Sequence, residues 1–276
     1  MKLTYEQLTQ YDELLRRGIY SNIESRNGKM SLETVLSTIL DLKPGDRPHG
    51  LSPAVRKFIT QLSNADWSSP EARAHGLYDL GLAQLGSLGA VNDIKFARHL
   101  AEQTVRQLLP TLFRNLFSQT DHCLAAATRC AAEGTKEAAD VAEEAARKAV
   151  NVAAHTHMET IIAAATAAET AGEATVAAES AMQYAGAESA AVSASVYAAL
   201  MSAATAGWAV RAAGARTGAA EAVIAAGAAA EDAGVAAVWA QIAGMTDQYL
   251  ILAAKIALCI LQEMNAPGCQ YLTPRK

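Results

Sequence analysis

The chain has 276 residues and seven prolines, none of them between Pro110 and Pro267. A stretch of 156 residues without proline excludes a loop-rich fold over that span. Aromatic residues make up 5% of the chain although half of it is apolar, so the apolar content is mostly alanine. Four cysteines (Cys123, Cys130, Cys259 and Cys269) are too few for a disulfide scaffold at this length. Cys123 and Cys130 lie seven apart, on one side of a helix, and read as small core residues. The N-terminal "MKLTYEQLTQYDELLRRG" lacks the apolar run of a signal peptide, so the cytosol is the expected compartment. Net charge is −5, with no basic surplus that would favour nucleic acid.

Charge is unevenly placed. Residues 1–120 carry 14 Lys/Arg and 12 Asp/Glu, whereas residues 121–245 carry 6 and 14. The second segment also holds 50 alanines in its 125 residues. Alanine is the strongest helix former, and no period-two pattern supports a strand. The sequence predicts an all-α protein in three parts. These are an N-terminal helical module over 1–120, an Ala-rich helical array over 121–245, and a hydrophobic closing helix with its tail over 246–276.

Helix signals punctuate the first part. "TYEQLTQYDELLRR" places Tyr5, Leu8, Tyr11 and Leu15 at helical spacing before Gly18. Ser31 suits an N-cap for "LETVLSTIL", and Ser69 with Pro70 starts a further helix at "PEARAHGLYDLGLA". Capping accounts for both Ser68 and Ser69, since no nucleophile-elbow glycines surround them. "VNDIKFARHLAEQTVRQLLPTLFRNLF" reads as one long helix that Pro110 kinks or divides. In the closing part, Leu250, Leu252, Ile256, Leu258, Ile260 and Leu261 make the most apolar helix of the chain, which is expected to pack back on the N-terminal helices.

The alanine tract has two open readings. Its glycines at 172, 186, 207, 214, 218, 227, 234 and 244 are either turns between short stacked helices or contact points where backbones approach closely. Large residues among the alanines, including Met182, Tyr184, Tyr197, Trp208 and Trp239, read as widely spaced anchors of a thin interface. Ser189–Val210 has no charge and the length of a bilayer span. It is rich in Ala, Ser, Thr and Gly rather than Leu, Ile and Phe, which argues against insertion.

Chemical motifs are scarce. His155 and His157 are two apart and fall on different helix faces, so they cannot chelate together. Neither CxxC, HExxH nor a phosphate loop is present. Threonines 156, 160, 166, 170 and 175 are spaced too irregularly to form the flat row that binds ice. One cluster carries weight as a ligand site. Arg47, His49, Trp67, Arg73 and His75 gather around two N-terminal loops, where an exposed Trp beside Arg could stack on a planar ligand or hold a phosphate. The alternative, which is favoured, has Trp67 filling the core while Arg73 is solvated.

The residues "WSSPEARAHG" (Trp67–Gly76) and "AQLGS" (Ala83–Ser87), with the ending "LCILQEMNAPGCQYL", resemble a family of helical proteins from phage and bacterial genomes. In that family such a module precedes an Ala-rich tract. The resemblance implies a phage or mobile-element setting, and hence a host cytoplasm, but no activity, cofactor or substrate. Family members often carry cysteine near the positions of Ser31 and Gly50, and its absence here implies that this chain has no thiol or metal site there. The expected function is therefore non-catalytic. It is self-assembly or partner binding through the Ala-rich helices, with Tyr184, Tyr197, Trp208 and Trp239 as contact residues and no cofactor. The alternative is binding or sequestering of a nucleotide-like molecule by the Arg47/Trp67/Arg73 region.

Overall fold

The structure is a computed structural model. It describes residues 3–19, 30–42, 50–150, 158–183, 188–227 and 232–272, and within 200–246 only some of the side chains. The described residues form helices joined by short turns and loops, with no strand among them. The protein is all-α.

Short helices build the N-terminal part. Helix α1 (Tyr5–Arg16) starts in a capping box in which Thr4 and Gln7 satisfy each other's backbone N–H. Tyr11, Leu14 and Leu15 turn inward, but Tyr5 is 86% exposed because it lies on the far side of the first turn. Helix α2 (Leu32–Ile39) is capped by Ser31 and α3 (Pro53–Ser63) by Ser52. Helix α4 (Pro70–Ala83) is capped by Ser69, whose hydroxyl accepts from the Ala72 amide. Ser68 does something else. Its amide donates to the Asp247 Oδ1 at 2.9 Å and its hydroxyl bonds the other carboxylate oxygen, tying this loop to a helix 179 residues away.

Helices α5 (Asp93–Gln103) and α6 (Leu109–Leu116) are joined without a break by a π-helical turn at Thr104–Leu108. Pro110 has no N–H to give to the carbonyl one turn back, and its ring crowds that carbonyl. The widened turn, in which the Leu109 amide reaches Thr104 O, absorbs the misfit, so the helix carries through instead of dividing. Helix α7 (Asp121–Glu133) ends at Gly134 in the left-handed conformation (φ 66°). Its last carbonyls, on Ala131, Ala132 and Glu133, accept from the Arg106 guanidinium.

The Ala-rich segment forms α8 (Lys136–Val150), α9 (Met158–Gln183) and α10 (Glu188–Gly227), and its last part belongs to α11 (Asp232–Glu263). These helices run to 40 residues, so a compositional boundary at 245 falls inside one of them. Glycines 172, 207, 214, 218, 234 and 244 lie within helices, not at turns; Gly227 ends α10, and Gly186 lies outside the described residues. Buried alanines on α8 (138, 139, 142, 145, 146, 149) meet those on α9, and α9 meets α10 along much of its length. Side chains this small let helix axes approach to roughly 8 Å. The buried hydroxyls of Ser195, Ser202 and Thr205 are tolerated because they find a carbonyl on their own helix, at 2.8–3.0 Å. Thr170 and Thr205 also meet across the α9–α10 seam at 3.1 Å.

Among the described residues one stretch, Ser189–Ala209, is long and apolar enough by length and composition to cross a membrane. In this fold it lies against α9, α3 and α5. The described part of α11 packs Leu250, Ile256, Ile260 and Leu261 into the core, against α4 and α5, and a 3₁₀ turn at Pro267–Tyr271 follows. The Leu3 amide donates to the Tyr271 hydroxyl at 2.8 Å, which brings the two ends of the described chain together.

Candidate functional site

Of the five residues expected around the N-terminal loops, the three described ones, Trp67, Arg73 and His75, do not form one surface. Arg47 and His49 lie outside the described residues. Trp67 is buried at 8% exposure and its indole N–H donates to Leu62 O at 2.9 Å. Its ring lies over Gly76, where any Cβ would collide with it. Arg73 is also buried, donating to Ile19 O at 3.2 Å and Ala65 O at 3.4 Å. It is therefore not the solvated residue that the favoured reading supposed. His75, one position from Gly76 on α4, is exposed. The motif Trp67–Gly76 works as a seat in which a helix cap, a buried indole and a buried guanidinium fix the start of α4.

The same logic covers Ala83–Ser87. The Ser87 hydroxyl accepts from the Ser52 amide at 2.8 Å, and Gly86 adopts φ 73°. Asp93 accepts from the Ser52 hydroxyl at 2.5 Å and the Ala54 amide at 2.9 Å, so α3 and α5 share one capped start. Both motifs that carried the family resemblance are thus packing devices in this chain.

Two of the cysteines serve packing. Cys123 and Cys130 are fully buried on α7, and their thiols donate to Ala145 O and Ala138 O on α8. Burial pushes Cys123 up to about 11 and Cys130 to about 12, the latter with help from the Glu133 charge. Beside Cys123, His122 makes its own contact with Ala145 O at 3.2 Å. His155 and His157 lie outside the described residues, and no cluster suited to a metal ion occurs among the described ones.

Two concavities use the alanine tract. The first is a groove of about 470 Å³ where α9 and α10 run side by side near the start of α8. Val176, Ala177, Ala194 and Tyr197 line it, with Lys136 and Glu173 at its edge. Val176 is 41% and Tyr197 46% exposed. The Glu173 carboxylate lies 3.4 Å from the Tyr197 hydroxyl, and its charge foremost holds that phenol above its ordinary value of 10. Met182 and Ile162, also on α9, are exposed too. The large residues Met182 and Tyr197 are thus partly exposed, and each touches a neighbouring helix only at its edge, Tyr197 at Glu173 on α9 and Met182 at Arg98 on α5. Tyr184 lies outside the described residues, as does the side chain of Trp239.

The second is a pocket of about 210 Å³ between the end of α3 and the middle of α10. Gln61, Asn64 and Asp66 form one wall. Ala204, Gly207, Trp208 and Arg211 form the other, at the spacing of a single helix face. Trp208 is half-buried, with Arg211 stacked on its ring 4.8 Å from the centroid. Arg211 Nε also stands 3.8 Å from Asp66, and both side chains are largely exposed. Sequence reasoning found Trp208 but not its neighbours. The signal was the pairing of a Trp with an Arg three residues on, in a tract where only 6 of 125 residues are Lys or Arg.

No family model, curated protein or solved structure matches the chain. Function therefore has to be read from these surfaces alone.

Proposed function

We propose that the protein is a non-catalytic assembly element that pairs with a second copy of itself through the α9–α10 groove. The observation that carries this reading is the exposure of Val176 and Tyr197 on a groove otherwise built from alanine. In an acidic tract of small residues, large apolar side chains held half in water gain from being covered. A twofold interface must be complementary to itself. The groove's lining carries charge of both signs, Lys136 (paired with Asp140 on its own helix) and Glu173, so a second copy can offer each of them its opposite. A different protein as partner would require the complementary charges to lie elsewhere. The phage setting and the host-cytoplasmic location belong to this proposal and rest on the family resemblance.

The test is the mass of the native protein in solution, by native mass spectrometry and light scattering. A dimer of bare chains is expected, converted to monomer by Val176→Glu without loss of helicity, because that side chain is already 41% exposed. A wild-type monomer at tens of micromolar, well above the dissociation constant of a stable dimer, would overturn the proposal.

A further inference from the structure

Of the two helical glycines of the tract whose surroundings are described, Gly172 and Gly207, only Gly207 has no neighbour for a side chain to meet. Glycine within a helix costs roughly 1 kcal/mol relative to alanine, and the neighbouring tract uses alanine freely. At Gly76, Gly81 and Gly268 a Cβ would collide with a side chain or a carbonyl, and at Gly172 it would touch Ala139 and Asp140. At Gly207 a Cβ would meet nothing within 4 Å. No internal contact requires the missing side chain. The space it leaves opens into the pocket beneath Trp208, and a helix position kept bare towards a cavity suits the close approach of something that is not part of the chain.

The walls indicate the shape and chemistry of that occupant. Arg211 lays a planar N–H-bearing group on the Trp208 ring and points Nε towards the Asp66 carboxylate. The arrangement is held loosely, by one long ion pair between exposed groups, so water competes with it effectively. A flat ring edged by adjacent N–H donors can take the guanidinium's place, stacking on the indole and offering both donors to the carboxylate. The guanine base carries this fork in its N1–H and exocyclic N2–H₂, while Gln61 and Asn64 offer amide groups to the remaining ring edge. The pocket, at about 210 Å³, is smaller than the roughly 300–1,000 Å³ of sites for drug-sized ligands. Among its described lining residues the one basic group is Arg211, and Asp66 opposes it, so a polyphosphate would find little counter-charge there.

We infer that this pocket binds a neutral guanine nucleoside or free base, which displaces Arg211 from the Trp208 ring and bonds Asp66 over the bare Gly207. The inference stands apart from the proposed pairing groove, which uses other residues. The experiment is a titration of the full-length protein with guanosine, followed by tryptophan fluorescence and calorimetry, with inosine and adenosine as comparisons. Saturable binding of guanosine is expected. Inosine, which lacks the exocyclic amine, should bind roughly tenfold more weakly, the equivalent of one lost hydrogen bond to a charged group. Gly207→Leu should abolish binding while circular dichroism stays unchanged, since the added side chain enters open space, and Asp66→Asn should remove the preference for guanosine over inosine. The inference is overturned if guanosine shows no saturable binding, if adenosine binds equally well, or if Gly207→Leu binds undiminished. Val176→Glu should leave guanosine binding unaltered, which keeps the two proposals separable.

Discussion

At the scale of single residues, Gly207 and Gly268 have the same side chain and opposite demands. Gly268 packs so tightly on the carbonyls of Leu82 and Ala83 that a Cβ would overlap backbone oxygens that cannot swing away. Gly268→Ala should destabilise by about 2 kcal/mol or more through forced backbone movement. Gly207→Ala should stabilise by up to about 1 kcal/mol, from helix propensity and a less flexible unfolded chain. Urea midpoints of the two variants against wild type give both signs in one experiment, and a loss of stability in Gly207→Ala would show a packing constraint at that position. The cysteines add a pH dependence with a definite sign. Cys123 and Cys130 stay protonated in the folded state up to about 11 and about 12, while unfolded thiols ionise near 9.0. Between these values the unfolded state binds fewer protons, so stability falls as pH rises above 9. Below pH 9 this contribution is flat. Cys123→Ala/Cys130→Ala should reduce that alkaline slope, read from urea midpoints between pH 8 and pH 10.5.

At the scale of elements, the most instructive part is the clasp between the π-helical turn and the end of α7. Arg106 projects from that turn, is held by Glu102 at 2.9 Å, and gives its N–H groups to three terminal carbonyls of α7. Those carbonyls have no intrahelical partner, and a cation at a helix C-terminus also meets the negative end of the dipole. Arg106→Ala should cost about 2 kcal/mol, with hydrogen exchange quickening first in the last turn of α7 and at Lys136–Asp140. Uniform quickening across the molecule would mean that Arg106 supports the core rather than this cap. Elements of this kind mark the limit of what the sequence discloses. Caps at Ser31 and Ser69 were legible because Ser before an apolar run has a local cause. The wide turn ahead of Pro110 was half legible: proline announces a misfit, but its remedy depends on what the helix packs against. In the alanine tract nothing polar marks a solvent face, so helix lengths could not be read, and glycines that looked like stops lie within helices. Trp67 and Arg73 were legible as a cluster. Their burial was not, because it depends on Gly76 and on the carbonyls of Ile19 and Ala65, contacts that the local pattern does not encode.

At the scale of the whole molecule, the charge step near residue 120 suggests a boundary that the packing does not respect. One continuous apolar cluster runs from Leu3 to Ala266 and takes in residues of every helix from α1 to α11. Helix α10 lies on α3 and α5, and α11 on α4 and α5, so the large side chains of the N-terminal helices are covered by the alanine helices and by the last one. Polar ties point the same way: Asp247 holds the Ser68 loop, and the Asn115 amide donates to the Tyr249 hydroxyl at 3.0 Å. A methyl buries little area, so an alanine helix gains modestly from each contact, while the N-terminal helices lose their roof without it. Neither part has a core of its own. Unfolding of the full chain should then be a single transition, with calorimetric and van't Hoff enthalpies in agreement. A chain ending at residue 120 should keep much of its far-ultraviolet helical signal yet lose near-ultraviolet dichroism and bind an apolar dye, because α3, α4 and α5 lose the later helices that pack on them. Two separate transitions in the full chain, or cooperative folding of that fragment, would instead make the change in composition at 120 a true domain boundary and confine the alanine helices to the role of an appended array.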